Sequence, residues 1–286
     1  MTDVTGELER LKAVYGVRLK LQYLYKQELG GMPGQLFLND DGIYVGDFEG
    51  NRIVKFEKDL KKPDILPFEI IQPAGLLVFD NKLWVNSLMF KKLFIFNITE
   101  NTSKPQGEID FAGKIPIWIK ADPSNGMILV AAINYQAQCG GSLWKLENGI
   151  AEKVLEHPTD SLTHLQVIEN EVVLFDQYKK SVYFFDKKSW NVNRQIKFGE
   201  IKGNMLASGI ITPQNDIFVI DNSNWLYKFN IDGNMVFQSD ILRLVTFMEN
   251  HYVMGGYHAN IVYDDSALYV SDVKNGYIVA INCIVY

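Results

Sequence analysis

Short runs of alternating apolar and polar residues recur along this chain, each five or six residues long and each closed by a turn signal. The run that sets the pattern is 33–57, PGQLFLNDDGIYVGDFEGNRIVKFE. It predicts three successive strands at 35–38, 43–46 and 52–57, separated by Asn39-Asp40-Asp41-Gly42 and by the polar loop 47–51. A period of two marks a half-buried strand. Asp-Gly and Gly-Asn tolerate the positive φ that folds an antiparallel strand straight back.

The pattern returns five more times. Second strands are expected at 43–46, 83–86, 128–131, 172–175, 217–220 and 268–271, and third strands read RIVKFE, KLFIFN, SLWKLE, SVYFFD, WLYKFN and YIVAIN. Each third strand ends on an acid or amide (Glu57, Asn97, Glu147, Asp186, Asn230, Asn282), and these markers recur every 39 to 52 residues. A short polar side chain there bonds its own downstream backbone and starts a turn. Asp47, Asp176, Asp221 and Asp272 follow four of the second strands, and turn chemistry explains them better than catalysis. Less regular outer strands follow, as at 107–111, 151–156, 193–198 and 235–241.

Two pieces lie outside the repeats. Leu8, Leu11 and Tyr15 stand at helical spacing, which predicts a short N-terminal helix within 1–16. Residues 17–27 (VRLKLQYLYKQ) alternate as a strand that belongs to no repeat, while the sixth repeat has only four residues left after Asn282. Pairing the spare strand with the last repeat closes a ring and removes two exposed sheet edges. Six four-stranded repeats over 33–286, closed by strand 17–27, predict one all-β domain, a six-bladed β-propeller.

The first repeat resembles the NHL repeat through Pro33, Gly34, Gly42, Tyr44, Val45, Asp47, Asn51, Arg52, Ile53 and Phe56. The fifth and sixth repeats match through Ile217-Phe218-Val219 with Asp221 and Leu268-Tyr269-Val270 with Asp272. The resemblance implies the fold more firmly than an activity, because propellers host unrelated functions.

Composition narrows the classes of partner. The chain has 286 residues, 47% hydrophobic, with a formal charge of −6, which argues against a nucleic-acid backbone as partner. It has no apolar run of membrane-spanning length and a polar, mixed-charge start, so no membrane association is expected. Cys139 and Cys283 stand far apart, and reduced thiols in the cytoplasm are the expectation. The sequons at 97–99 and 101–103 matter only on export.

The channel mouth is where the propeller fold puts its chemistry. Inner strands are expected to start at Pro33, Pro73, Pro116, Leu162, Leu206 or Ala207, and His258. Lactonase-like hydrolases on similar propellers hold a divalent cation with Glu, Asn and Asp near these starts, and that set is missing here. Amidating lyases hold zinc with histidines at such starts. His258 falls on one and His164 near another, but a third is absent, so no metal or other cofactor is expected. Two insertions depart from the repeat, 132–141 (AINYQAQCGG) and 242–257 (LRLVTFMENHYVMGGY), both directed to the same mouth. They make Tyr135, Gln136, Gln138, His164, His251, Tyr252, Tyr257 and His258 the expected ligand-binding residues. The leading expectation is a non-catalytic propeller that binds a protein, peptide or small molecule at this mouth. Its alternatives are a metal-dependent lyase or hydrolase at the same place and a structural subunit of a larger assembly.

Overall fold

The computed structural model describes residues 19–28, 31–100, 102–133, 141–147, 149–157, 162–223, 225–240, 260–264, 267–272 and 276–285. The expected N-terminal helix within 1–16 lies outside these residues. Among the described residues every regular element is a strand, and there are six sheets of four. No helix there is long and apolar enough to cross a membrane.

Each sheet is one blade, and in the first five the strands follow chain order from the axis outward. Blade 1 is Pro33–Asn39, Gly42–Asp47, Arg52–Phe56 and Asp64–Leu66. Blade 2 runs from Pro73–Phe79 to Gly107–Asp110 and blade 3 from Ile115–Ala121 to Ile150–His157. Blade 4 runs from Leu162–Ile168 to Val192–Lys197, and blade 5 from Leu206–Ile211 to Met235–Asp240. Blade 6 takes Ile261–Asp264, Ala267–Asp272 and Tyr277–Val285 from the end of the chain. Its outer strand is Leu19–Glu28, antiparallel to Tyr277–Val285 from Leu19↔Val285 to Glu28↔Tyr277. The spare strand read from the sequence therefore closes the ring.

The alternation that makes the strands legible also builds the core. Ile43 and Val45 point one way, into a cluster with Tyr269 and Ile278 of blade 6. Tyr44, between them, points the other way, into a cluster with Leu76 and Val85 of blade 2. Four further clusters of this kind fill the remaining blade interfaces. Side chains such as Phe96, Phe175 and Phe184 are fully buried between blades, where truncation to alanine costs about 3–5 kcal/mol. Trp190, in a turn at φ 58°, is half-buried against the blade 3–4 cluster, so packing accounts for it.

Hairpin turns follow the residue chemistry. Asp80 and Asn81 both have positive φ (51° and 54°) between Phe79 and Lys82, the two-residue turn whose twist matches the strands it joins.

Candidate functional site

The aspartates that end the second strands are consumed by turns. Asp47 is fully buried; its Oδ1 accepts from the N–H groups of Met32 (3.1 Å) and Gly50 (2.9 Å), and its Oδ2 from Arg52 Nε (2.8 Å). Asp221 accepts from the Gly203, Ser223 and Trp225 N–H groups and from the Tyr227 hydroxyl, all between 2.7 and 2.9 Å. Asp176 accepts from Lys179 N–H. In blade 2 the post is taken by Ser87, whose hydroxyl donates to Ile71 O at 2.6 Å. Each clamp ties a loop entering an inner strand, or the turn beside it, to the strand below.

A second ring lies one step deeper. Leu36, Leu76, Ile119, Leu165, Gly209 and Ile261 face equivalent second-strand positions. The residues just before them therefore share one level around the axis: Gln35, Gly75, Trp118, His164, Ser208 and Asn260. Beside Gly75, a Cβ would fall 2.1 Å from Ile117 O, 2.6 Å from Asn86 Nδ2 and 2.8 Å from Gln35 Oε1. Glycine at that point lets two amide side chains occupy the space. Gln35 Nε2 donates to Ile117 O (2.6 Å), which joins blade 1 to blade 3 past blade 2. Between the neighbouring blades 1 and 6 the Leu36 N–H donates to Asn260 Oδ1 (2.9 Å).

Several members of this girdle are buried with polar atoms unsatisfied. Among the described residues, both amide atoms of the neighbouring Asn86, both ring nitrogens of His164, Ser208 Oγ and Asn260 Nδ2 have no hydrogen-bond partner. Such groups are rare in folded proteins, because an unmet buried donor costs about 1–3 kcal/mol. His164 is 1% exposed, with Trp118 on one side (ring centroids 4.8 Å apart) and Phe175 on the other (5.9 Å). Burial, reinforced by the Lys120 charge, holds its pKa well below the usual imidazole value, so the ring is neutral at pH 7.

Lys120 sits two residues beyond Trp118 on the inner strand of blade 3. Its ammonium lies 5.9 Å from the Phe37 ring of blade 1, and its charge acts on His164 of blade 4. Only the axis brings blades 1, 3 and 4 together. The side chain is half-buried, and loss of hydration alone pushes its pKa down to about 8. Among the described residues no carboxylate pairs with it. An unpaired, desolvated lysine on an inner strand is the strongest chemical signal in the channel.

Another concavity lies off the axis, a cleft of about 700 Å³ between blades 1 and 2 lined by Asn51, Glu69, Ile70, Ile71, Phe90, Lys92, Phe94 and Glu108. Its one cation, Lys92, is already paired with Glu108 (2.5 Å).

Of the expected site residues, His164 alone lies among those described. Tyr135, Gln136, Gln138, His251, Tyr252, Tyr257 and His258 lie outside them. The sequence reading missed Gln35, Asn86, Lys120, Ser208 and Asn260. A signal for Lys120 was present, a lysine within the apolar inner strand IPIWIKA. The residues that start the inner strands do not fit a hard divalent cation. They are Pro33, Pro73, Ile115, Leu162, Leu206 and Ile261, and among the described residues no three His, Cys, Asp or Glu side chains converge.

No family model matches the chain, and no curated protein matches its sequence. Solved structures do match. A luciferin-regenerating enzyme superimposes with a TM-score of 0.69 at 11% identity, over 92% of this chain and 97% of that one. A gluconolactonase from Xanthomonas campestris gives 0.68 at 11% identity, over 95% and 92%. Regucalcin from Agrobacterium tumefaciens, a calcium-binding protein, gives 0.65 at 14% identity, over 88% and 90%. The expectation of a non-catalytic binding propeller is corrected here, since two of these three neighbours are enzymes. That expectation rested on the insertions 132–141 and 242–257, of which all but 132–133 and 141 lie outside the described residues.

Proposed function

We propose that this propeller is a hydrolase of the lactonase type, opening small cyclic esters in its axial channel with Lys120 as the acting base. The observation that carries the reading is the half-buried Lys120, without a carboxylate partner among the described residues, at the meeting point of three blades. The gluconolactonase among the structural neighbours supports the choice of ester. A lysine with a pKa near 8 holds about a tenth of its amines neutral at pH 7, close to the optimum for a general base.

The amine takes a proton from water as the water oxygen attacks the lactone carbonyl carbon. The ammonium so formed stands beside the developing oxyanion and stabilises it in a site of low polarity. Collapse breaks the ring C–O bond, and the ammonium returns the proton to the departing alkoxide. The product is a hydroxy acid. The Phe37 ring lies beside the amine, and the buried His164 is within reach of its charge. We place the reaction in the cytoplasm, a reading supported by the presence of only two cysteines, 139 and 283.

The test is a titrimetric assay of the full chain on a panel of five- and six-membered lactones. The reading expects ring opening whose kcat/KM rises with pH through about 8 and falls at least about 100-fold in Lys120→Met. Absence of ring opening across the panel, or equal rates in the variant, would refute it.

A further inference from the structure

We infer that the cleft between blades 1 and 2 is a docking groove for an extended peptide that carries an arginine or lysine beside a bulky apolar residue. The groove lies off the axis and is independent of the chemistry proposed for Lys120. It opens where the ring is thinnest. Among the described residues the outer strands of blades 1 and 2, Asp64–Leu66 and Gly107–Asp110, have three and four residues, against six to ten in the other blades. The first of them pairs only with Ile53–Lys55. Beside it the third and outer strands of blade 2 line a cleft of about 700 Å³ through Lys92, Phe94 and Glu108.

The apolar side of this cleft is firm and uncovered. Ile70 is buried, whereas Ile71 is 39% exposed and Phe90 48%, and Met89, next to the lining, is 59% exposed. Phe90 stands edge-on to Phe94, with ring centroids 5.9 Å apart. The two loops that carry these residues are bonded to each other. Ser87 Oγ donates to Ile71 O, the Leu88 N–H donates to Gln72 O (3.1 Å), and the Phe90 N–H donates to Ser87 Oγ (3.3 Å). A bound chain therefore meets groups already held in place, and little ordering opposes its binding. Walls this exposed do not enclose a small molecule, which in a built pocket loses most of its surface to the protein. A chain segment laid along them reaches Phe90 and the neighbouring Met89 as well as the floor.

Charge selects the chain. Two carboxylates, Glu69 and Glu108, line the cleft against the one ammonium of Lys92, which leaves one negative charge over. Lys92 is held by Glu108 (2.5 Å) and also lies in the field of Asp110. Glu69 accepts from the Ser103 hydroxyl (2.8 Å) and, among the described residues, has no cation paired with it. A basic side chain meets that carboxylate while an adjacent apolar one lies against Ile71 and Phe90. An acidic segment is repelled, and a second copy of this chain, at −6, is a poor match.

The test is a displayed library of random heptapeptides panned on the full chain, with the Glu69→Gln/Phe90→Ser double variant as counter-selection. Both residues are exposed, so the variant should fold, and an unchanged thermal midpoint checks it. If it does not fold, Glu69→Gln alone serves as counter-selection. Peptides retained by the wild type but not the variant are expected to carry arginine or lysine close to Phe, Trp, Leu or Ile. Synthesised with a fluorophore, they should bind the wild type saturably by anisotropy and weaken at least about fivefold in each single variant. The Glu69 contribution should vanish at about 1 M salt, where screening acts within about 3 Å. Retained peptides without a basic residue, no peptide that distinguishes the two proteins, or affinities indifferent to Glu69→Gln would overturn the inference. So would self-association of the wild type that Phe90→Ser abolishes, or displacement by benzylamine at the peptide's own affinity, since these give the groove to a second copy or to a small amine.

Discussion

Replacing Lys120 by methionine should make the protein more stable at neutral pH while removing its chemistry. The substitution keeps an unbranched chain against Phe37 and deletes the charge. Burial lowers the lysine pKa from 10.5 to about 8, and at about 1.4 kcal/mol per unit the folded state pays roughly 3 kcal/mol to hold the proton. Because the folded pKa lies below the unfolded one, the penalty is complete below about pH 8 and shrinks as pH rises toward 10.5, where both states lose the proton. Lys120→Met should thus gain about 2–3 kcal/mol over wild type at pH 7, raising the thermal midpoint by about 5 °C for a chain of this length. Near pH 10.5 the two proteins should converge. Urea unfolding followed by tryptophan fluorescence at pH 6, 7, 8, 9 and 10 measures the difference. A variant less stable than wild type at pH 7, or a gap that does not change with pH, would show that the lysine is compensated and the reasoning wrong. Stability surrendered at one position is the usual mark of a functional group rather than a structural one.

Two further expectations concern the scaffold. Asp221→Ala removes the acceptor of four hydrogen bonds, from Gly203 in the loop entering blade 5, from Ser223 and Trp225 at the next turn, and from the buried Tyr227 hydroxyl. The loss should be about 3 kcal/mol or more, read as a lower urea midpoint, and an unchanged midpoint would exclude the clamp. Deleting residues 1–28 removes the outer strand of blade 6 and exposes the Tyr277–Val285 edge. The truncated chain should unfold at lower urea and associate through that edge, as light scattering would show; a monomer of full stability would contradict the closure.

The propeller was legible because its signals are local. Alternation in IYVGD, LYVSD and their counterparts, with Asp-Gly and Gly-Asn between runs, is settled within a few residues, and the spare strand at 17–27 followed from counting strands. The clamps were legible too, since an aspartate after a strand has few other uses than a turn. The channel was not. Asn86 reads as one more strand residue until Gly75 is seen to leave space beside it. The lysine in IPIWIKA looks like any charged alternate position, where a solvent-facing lysine is ordinary. Its meaning lies in the absence of a carboxylate beside it among the described residues, a property of the assembled axis that no window of sequence contains. Attention went instead to the histidines at inner-strand starts, where His164 has the right place but neither the partners nor the hydration of a ligand.

The claim at the centre of this account is that the axis holds a lysine of lowered pKa, Lys120, with no carboxylate beside it among the described residues. Carbon-13 labelling of the lysine side chains, with Lys120 assigned by its absence in Lys120→Met, lets the ε-carbon shift be followed between pH 6 and 11. The account requires one lysine signal to titrate near 8. A Lys120 signal that titrates near 10.5, the ordinary lysine value, would contradict it.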